Sequence, residues 1–216
     1  IERTSVKTDW WEVFSRPQLN DIIERARRDN QTVLQAAARL EQAKALYSAE
    51  RSSLFPKVDL EGDVSKEHRD GNTRDTESAI GGALEWEVDV FGRIRSASQA
   101  RLYEALAQEE LLEAVKLSLS AEVAEAYFGA TAAQQTINLL NQQVTLDKDL
   151  LELLELRLDS GVGTNVDVLQ QKSRVADSES LIPVAEARQR VFENRLDVLT
   201  GQLPDARPKV AQDETL

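Results

Sequence analysis

Apolar and polar residues alternate one by one in two short stretches of this chain and follow helical spacing nearly everywhere else. In Val58-Asp59-Leu60-Glu61-Gly62-Asp63-Val64 the odd positions are acidic and the even ones apolar or glycine; Leu84-Glu85-Trp86-Glu87-Val88-Asp89-Val90 repeats the arrangement. Strict alternation is a strand's period, so the pattern predicts a β-hairpin whose polar connection runs from His68 to Thr76, with Asp70-Gly71-Asn72 as its turn. A hairpin with acids on one face and aliphatic side chains on the other stands between water and something apolar, either a soluble core or a membrane.

Helices flank this hairpin. After Trp10, Trp11 and Phe14, Pro17 opens a short helix with Leu19, Ile22, Ile23 and Ala26 at helical spacing, and Asp29-Asn30 interrupts it. A second helix, from about Gln31 to Leu54, ends at Pro56. From about Arg95 to Leu158 a single Gly129 is the only punctuation, which predicts one helix of roughly 90 Å. Such a length belongs to a coiled coil. Ile137, Leu140, Val144, Leu151, Leu154 and Leu158 form one seam, and Leu139, Leu146, Leu150 and Leu153 form a second beside it, so the helix is expected to have two neighbours. Small residues (Ala121, Ala124, Ala126, Ala130, Ala132, Ala133) would let neighbours approach closely. Gly161 and Gly163 supply a reversal, and Thr164 or Asn165 caps a last helix from about Val166 to Thr200, with Val168, Leu169, Val175, Leu181, Val184, Ala185, Val191, Leu196 and Leu199 inward and a kink expected at Pro183. Gly201 ends that helix, and the Pro-containing remainder reads as an extended tail or a linker.

Composition removes several function classes. A chain of 216 residues with 41% apolar content can bury a core. A net charge of −12 argues against nucleic acid as a partner, and the absence of cysteine removes disulfides, thiolate zinc sites and thiol catalysis. No stretch approaches the roughly 18 apolar residues of a spanning helix, so a crossing of the bilayer would be made by strands. One histidine, no phosphate-binding glycine loop and no nucleophile beside a base leave only carboxylates as candidate catalysts. Those carboxylates sit in regular alternation with no pocket-forming elements, so no catalytic residue, metal site or cofactor is expected.

Several segments carry a family resemblance: Trp10 to Phe14, Pro17-Gln18-Leu19, Phe55-Pro56 ahead of the first strand, Glu87-Val88-Asp89-Val90-Phe91-Gly92-Arg93, and Ala121-Glu122-Val123-Ala124-Glu125-Ala126-Tyr127-Phe128. With the stretch from Arg157 to Leu169, and in this order over about residues 9 to 201, they resemble the TolC-like outer membrane factors, in particular the OprM/NodT-like branch of RND efflux lipoproteins.

The resemblance implies a mainly α chain with a β-hairpin, its long antiparallel coiled-coil helices belonging to an α-barrel and its two strands to an oligomeric transmembrane β-barrel. It divides the chain into an N-terminal segment (1–16), a helical segment of the tunnel or equatorial region (17–57), the hairpin (58–91), a long helical hairpin with its tip near 159–165 (92–201), and a tail or linker to a second repeat (202–216). Asp59, Glu61, Asp63, Glu85, Glu87 and Asp89 would line a water-filled lumen, with Val58, Leu60, Val64, Leu84, Trp86, Val88 and Val90 toward outer-membrane lipid. Arg157, Leu158, Gly161, Val162, Gly163 and Thr164 would form the tip that docks a periplasmic adaptor, itself joined to an inner-membrane pump. The function implied is a passive exit duct for efflux or type I secretion in a Gram-negative outer membrane; a soluble coiled-coil structural protein is the alternative. Family members carry two such repeats and this chain one, and two strands cannot close a barrel of about eight or more. The ring would therefore be a trimer of two-repeat chains or six single repeats. The family's lipidated N-terminal cysteine has no counterpart in this sequence.

Overall fold

A computed structural model describes residues 9–69 and 73–204. After a 3-10 turn at Trp10–Phe14 come α1 (Pro17–Asp29), α2 (Gln31–Ser52), β1 (Lys57–Arg69), β2 (Thr73–Glu85), α3 (Arg93–Asp159) and α4 (Asn165–Leu199). The described residues are mainly helical with one two-stranded antiparallel sheet. The expected turn at Asp70-Gly71-Asn72, most of the expected tail and residues 1–8 lie outside the described residues. Two compact units result, one formed by residues 1–34 and 114–216 and the other by 35–113.

In the first unit α3 packs on α4 through one of the two seams. Ile137 and Val144 are buried and Leu140, Leu151, Leu154 and Leu158 half-buried, whereas Leu139, Leu146, Leu150 and Leu153 remain exposed. Of the small residues expected at close approaches, Ala124, Ala126, Ala130 and Ala133 are buried while Ala121 and Ala132 are exposed; Gly129 adds a further close approach, since a Cβ there would meet the Phe192 ring at 2.6 Å. The inward face of α4 differs from the sequence expectation. Val168, Val175, Ala185, Leu196 and Leu199 are buried, but Leu169, Leu181, Val184 and Val191 are exposed, Leu181 and Val184 lining a groove shared with Leu140 and Ala133 of α3, and the polar Gln171, Ser178 and Glu193 take inward positions. Like α3, α4 carries two apolar stripes, and reading them as one hid the polar residues between them. The helix runs unbroken through Pro183, which is exposed.

Asn30 ties three chain segments together. Its backbone N–H donates to Ala26 O (2.9 Å) at the end of α1, its Oδ1 accepts from Thr32 N (2.8 Å) and Val33 N (3.3 Å) at the start of α2, and its Nδ2 donates to Leu199 O (3.0 Å) at the end of α4. An Asx cap satisfies helix N–H groups that have no intrahelical acceptor. Asn30→Ala is therefore expected to cost about 1–3 kcal/mol, since it removes the cap and also leaves the buried Leu199 carbonyl without its side-chain donor; denaturant titration against Asn30→Ser, whose hydroxyl can still cap α2 but is too short to reach Leu199, separates the two losses.

In the second unit Leu40, Ile94, Ala105 and Leu112 are buried while the hairpin stands clear. Its register pairs Lys57 with Glu85, Asp59 with Ala83, Glu61 with Gly81, Gly62 with Ile80 and Asp63 with Ala79. The ladder reaches back to Arg69 and Thr73, taking in the backbone of His68, which sequence reading assigned to the turn. At the other end it stops short of expectation. β2 ends at Glu85, so Trp86, Glu87, Val88, Asp89 and Val90 are not in a strand despite their alternation. The cause is the partner strand: β1 begins at Lys57, immediately after Pro56, which has no N–H to offer a continuing ladder.

Candidate functional site

Directly paired residues of an antiparallel ladder share a face. On one face of the hairpin lie Lys57, Asp59, Glu61 and Asp63 of β1 with Ala79, Gly81, Ala83 and Glu85 of β2. On the other lie Val58, Leu60, Gly62 and Val64 with Ser78, Ile80, Gly82 and Leu84. The structure thus brings four of the six predicted acids onto one face. Both faces are uncovered: Leu60 and Ile80 on one are 83% and 91% exposed, and Asp59, Glu61 and Asp63 on the other are exposed as well. A lone two-stranded sheet is at best marginal in water, and this one offers a full aliphatic face with none of the described residues of its own unit against it.

Sequence reasoning missed two members of these faces. Lys57, whose Nζ lies 3.1 Å from Asp59, puts a cation among the acids. Extending the alternation by one residue would have found it. Ile80 joins the aliphatic face through its pairing with Gly62, and no local signal marks it because β2 alternates poorly between Thr73 and Ala83.

Glu87 and Asp89, expected to continue the acidic face, lie beyond the ladder and act on the start of α3. Arg93 Nη2 donates to both Glu87 oxygens at 2.7 and 2.8 Å, and Asp89 Oδ2 accepts from Arg95 N at 2.9 Å. That backbone hydrogen bond is the chief reason the Asp89 carboxyl is held below the ordinary carboxylate range. Because the folded value is depressed, its contribution to the helix start is present above the ordinary carboxylate range and is lost as pH falls through the lowered value. Gly92, with φ of 76°, makes the turn into the helix.

The second constellation is the α3–α4 reversal. Gly161 N donates to Leu158 O (2.9 Å) and Val162 N to Arg157 O (3.0 Å), a Schellman closure in which Gly161 takes the left-handed conformation at φ 76°. Gly163 lies against the helix end: a Cβ there would sit 2.8 Å from Leu158 N and 3.0 Å from Arg157 C. Thr164 Oγ1 accepts from Asp167 N (3.2 Å) and donates to Asp167 Oδ2 (2.7 Å), closing the N-terminus of α4. The six predicted tip residues are therefore assembled in one hydrogen-bonded turn. Val162, 69% exposed, is its outermost apolar side chain.

Comparison with known proteins supplies the context for this geometry. The chain is 29% identical over 211 residues to the pyoverdine export outer membrane protein OpmQ of Pseudomonas putida, covering 90% of this chain and 45% of that one. It is 27% identical to the outer membrane protein OprJ of Pseudomonas aeruginosa, covering 95% and 46% respectively. The chain thus spans about half the length of the curated relatives it matches. Among solved structures, the outer-membrane channel OprN superposes with a TM-score of 0.75 at 30% identity over 97% of this chain and 49% of that one. The Campylobacter jejuni CmeC outer membrane channel has a TM-score of 0.77 over 96% of this chain and 46% of its own, and at 23% identity it speaks for the fold alone. The hairpin between long helices is the TolC-like arrangement. The model of the outer membrane efflux protein family matches residues 22–202, nearly the whole described chain, and the protein accordingly belongs to that family and to the outer membrane.

Proposed function

We propose that the assembled protein is a passive exit duct of a tripartite efflux or type I secretion system. In this reading β1 and β2 are two staves of an oligomeric β-barrel in the outer membrane, and α3 and α4 are part of its periplasmic helical tunnel. Cargo arrives from an inner-membrane pump through a periplasmic adaptor that meets the 157–164 tip. The observation that carries the reading is the two-faced hairpin. Val58, Leu60, Val64, Ile80 and Leu84 form an uncovered aliphatic face suited to lipid, and Asp59, Glu61, Asp63 and Glu85 lie on the opposite face, suited to a wet lumen. Glu87 and Asp89 then act at the junction of barrel and tunnel, holding the start of α3.

Two strands enclose nothing, so the barrel requires several copies, either three chains with two such repeats or six with one. The exposed second seam of α3 and the stripe of Leu169, Val184, Val191 and Val198 on α4 are the surfaces through which further helices complete the tunnel wall. The rival reading, a soluble coiled-coil protein with a water-facing hairpin, leaves the five aliphatic side chains of the hairpin in water with no compensating contact.

An acidic lumen favours cations, because a ring of one charge sign in a narrow aqueous channel sets the sign of the permeant ion. Replacing Asp59, Glu61 and Asp63 with Asn, Gln and Asn, together with Glu85→Gln, is expected to move the reversal potential of the assembled channel, in a planar bilayer under a KCl gradient, toward zero or past it. Lys57 then remains as a cation on that face. An unchanged reversal potential would overturn the assignment of this face to the lumen.

A further inference from the structure

α3 offers α4 two apolar faces, roughly 110° apart at 3.6 residues per turn, and leucines dominate both. Apolar packing discriminates poorly between faces of similar size and shape. The exposed ion pairs that span the helices, Lys148 with Glu179 (2.7 Å), Lys172 with Glu155 (2.9 Å) and Arg195 with Glu125 (3.4 Å) and Glu122 (3.9 Å), are of a kind that contributes little. Yet one face is taken and the other left open.

Over the leucine-bearing stretch from Ile137 to Leu158, the difference between the faces is a polar clamp. Asp147 lies in the inner seam, between Val144 and Leu151. Its Oδ2 accepts from Ser178 Oγ at 2.8 Å, and its backbone carbonyl accepts from Gln171 Nε2 at 2.9 Å, with Oδ1 3.4 Å from the same nitrogen. Gln171 and Ser178 stand one heptad apart on α4 and are 4% and 7% exposed, so both are committed to the interface. Were α4 to pack on the other seam, the Gln171 amide and the Ser178 hydroxyl would be buried against Leu146 and Leu150, which carry no side-chain acceptor. A buried donor without a partner is costly, whereas Asp147 would go to solvent at little cost. The penalty therefore falls on the wrong pairing.

We propose that Asp147, Gln171 and Ser178 form a face-selection clamp, positioning residues that direct α4 to the inner seam of α3 and thereby reserve Leu139, Leu146, Leu150 and Leu153 for a neighbouring helix. The clamp's contribution is specificity between two packings rather than stability, as for a polar residue at one core position of a coiled coil.

The chain contains no cysteine, so introduced pairs report cleanly on which side of α3 faces α4. Cysteines at 148 and 179 replace an ion pair of the observed packing and should be joined by a short bis-maleimide. Cysteines at 146 and 179 should not be joined, because Leu146 lies on the exposed seam of α3, away from α4. In the full protein carrying Asp147→Leu, Gln171→Leu and Ser178→Ala, helical content and the denaturation midpoint are expected to be kept or raised. The 146–179 product should appear at the expense of the 148–179 product, rising from background to a comparable yield. Asp147→Asn, which keeps an oxygen for Ser178, should restore the native pattern when Gln171 and Ser178 are intact. A native cross-link pattern in the triple variant would overturn the proposal, because apolar packing would then select the face unaided. Loss of helical content or a lowered midpoint would overturn it too, because the clamp would then be a stabilising contact. Either failure leaves the exit-duct reading untouched.

Discussion

Gly201→Ala is expected to lower unfolding stability by about 2–4 kcal/mol, a large effect for one methyl group. Two independent costs add at this position. Gly201 has φ of 72°, a conformation that any side chain disfavours, and its added Cβ would stand 2.6 Å from the backbone oxygen of Asp29. Neither is easily relieved. The conformation is imposed by the closure of α4, where Gly201 N donates to Val198 O at 3.1 Å and Gln202 N to Asp197 O at 2.8 Å. Asp29 is held from the other side, because the next residue, Asn30, bonds to Leu199. The same methyl group at Gly161, which has φ of 76° and open space around its Cβ, carries only the conformational cost. Denaturant titrations of Gly201→Ala and Gly161→Ala should therefore differ by the clash alone, about 1–3 kcal/mol. Equal losses would show that the α1–α2 corner yields to the methyl group.

Val162→Asp is expected to abolish adaptor-dependent export in cells while leaving helical content and assembly unchanged. In the proposed duct the turn between α3 and α4 is the end that meets the adaptor, and Val162 is its exposed apolar side chain. Its backbone N–H is engaged with Arg157 O, an interaction that does not depend on the side chain, so the substitution alters the surface and spares the turn. Gly163 is a less suitable probe. With its Cβ direction closed by Leu158 N at 2.8 Å, even Gly163→Ala must reshape the turn, and a loss of export there would not distinguish docking from distortion. Export that survives Val162→Asp at normal protein levels would refute the assignment of the tip to docking.

Local patterns made much of this protein legible. Alternation from Val58 to Val64 announced β1 and its two faces, and the acids and aliphatic residues fall on opposite faces. The two leucine seams announced two neighbours for α3, and one of them is α4. Gly161, Gly163 and Thr164 announced the reversal, and each performs a distinct part of it. These features rest on contacts between residues a few positions apart, whose geometry is set by strand or helix period and by left-handed backbone preference.

Where the reading failed, the deciding partner was distant. Residues 84–90 alternate as well as 58–64, but alternation describes only one strand's willingness to pair. Pairing ended at Glu85 because β1 starts after Pro56. Freed from the ladder, Glu87 and Asp89 found donors at the start of α3. Ile80 entered the aliphatic face through a register that only the opposite strand could set. On α4, four aliphatic residues expected to be buried are exposed, and Gln171 and Ser178 are inward because Asp147, more than twenty residues away, gives them acceptors. The sequence by itself determined the elements, their order and the two faces of each. Tertiary structure alone decided which faces meet, where the ladder ends and which polar groups are buried, because each of those outcomes depends on a partner that local periodicity does not contain.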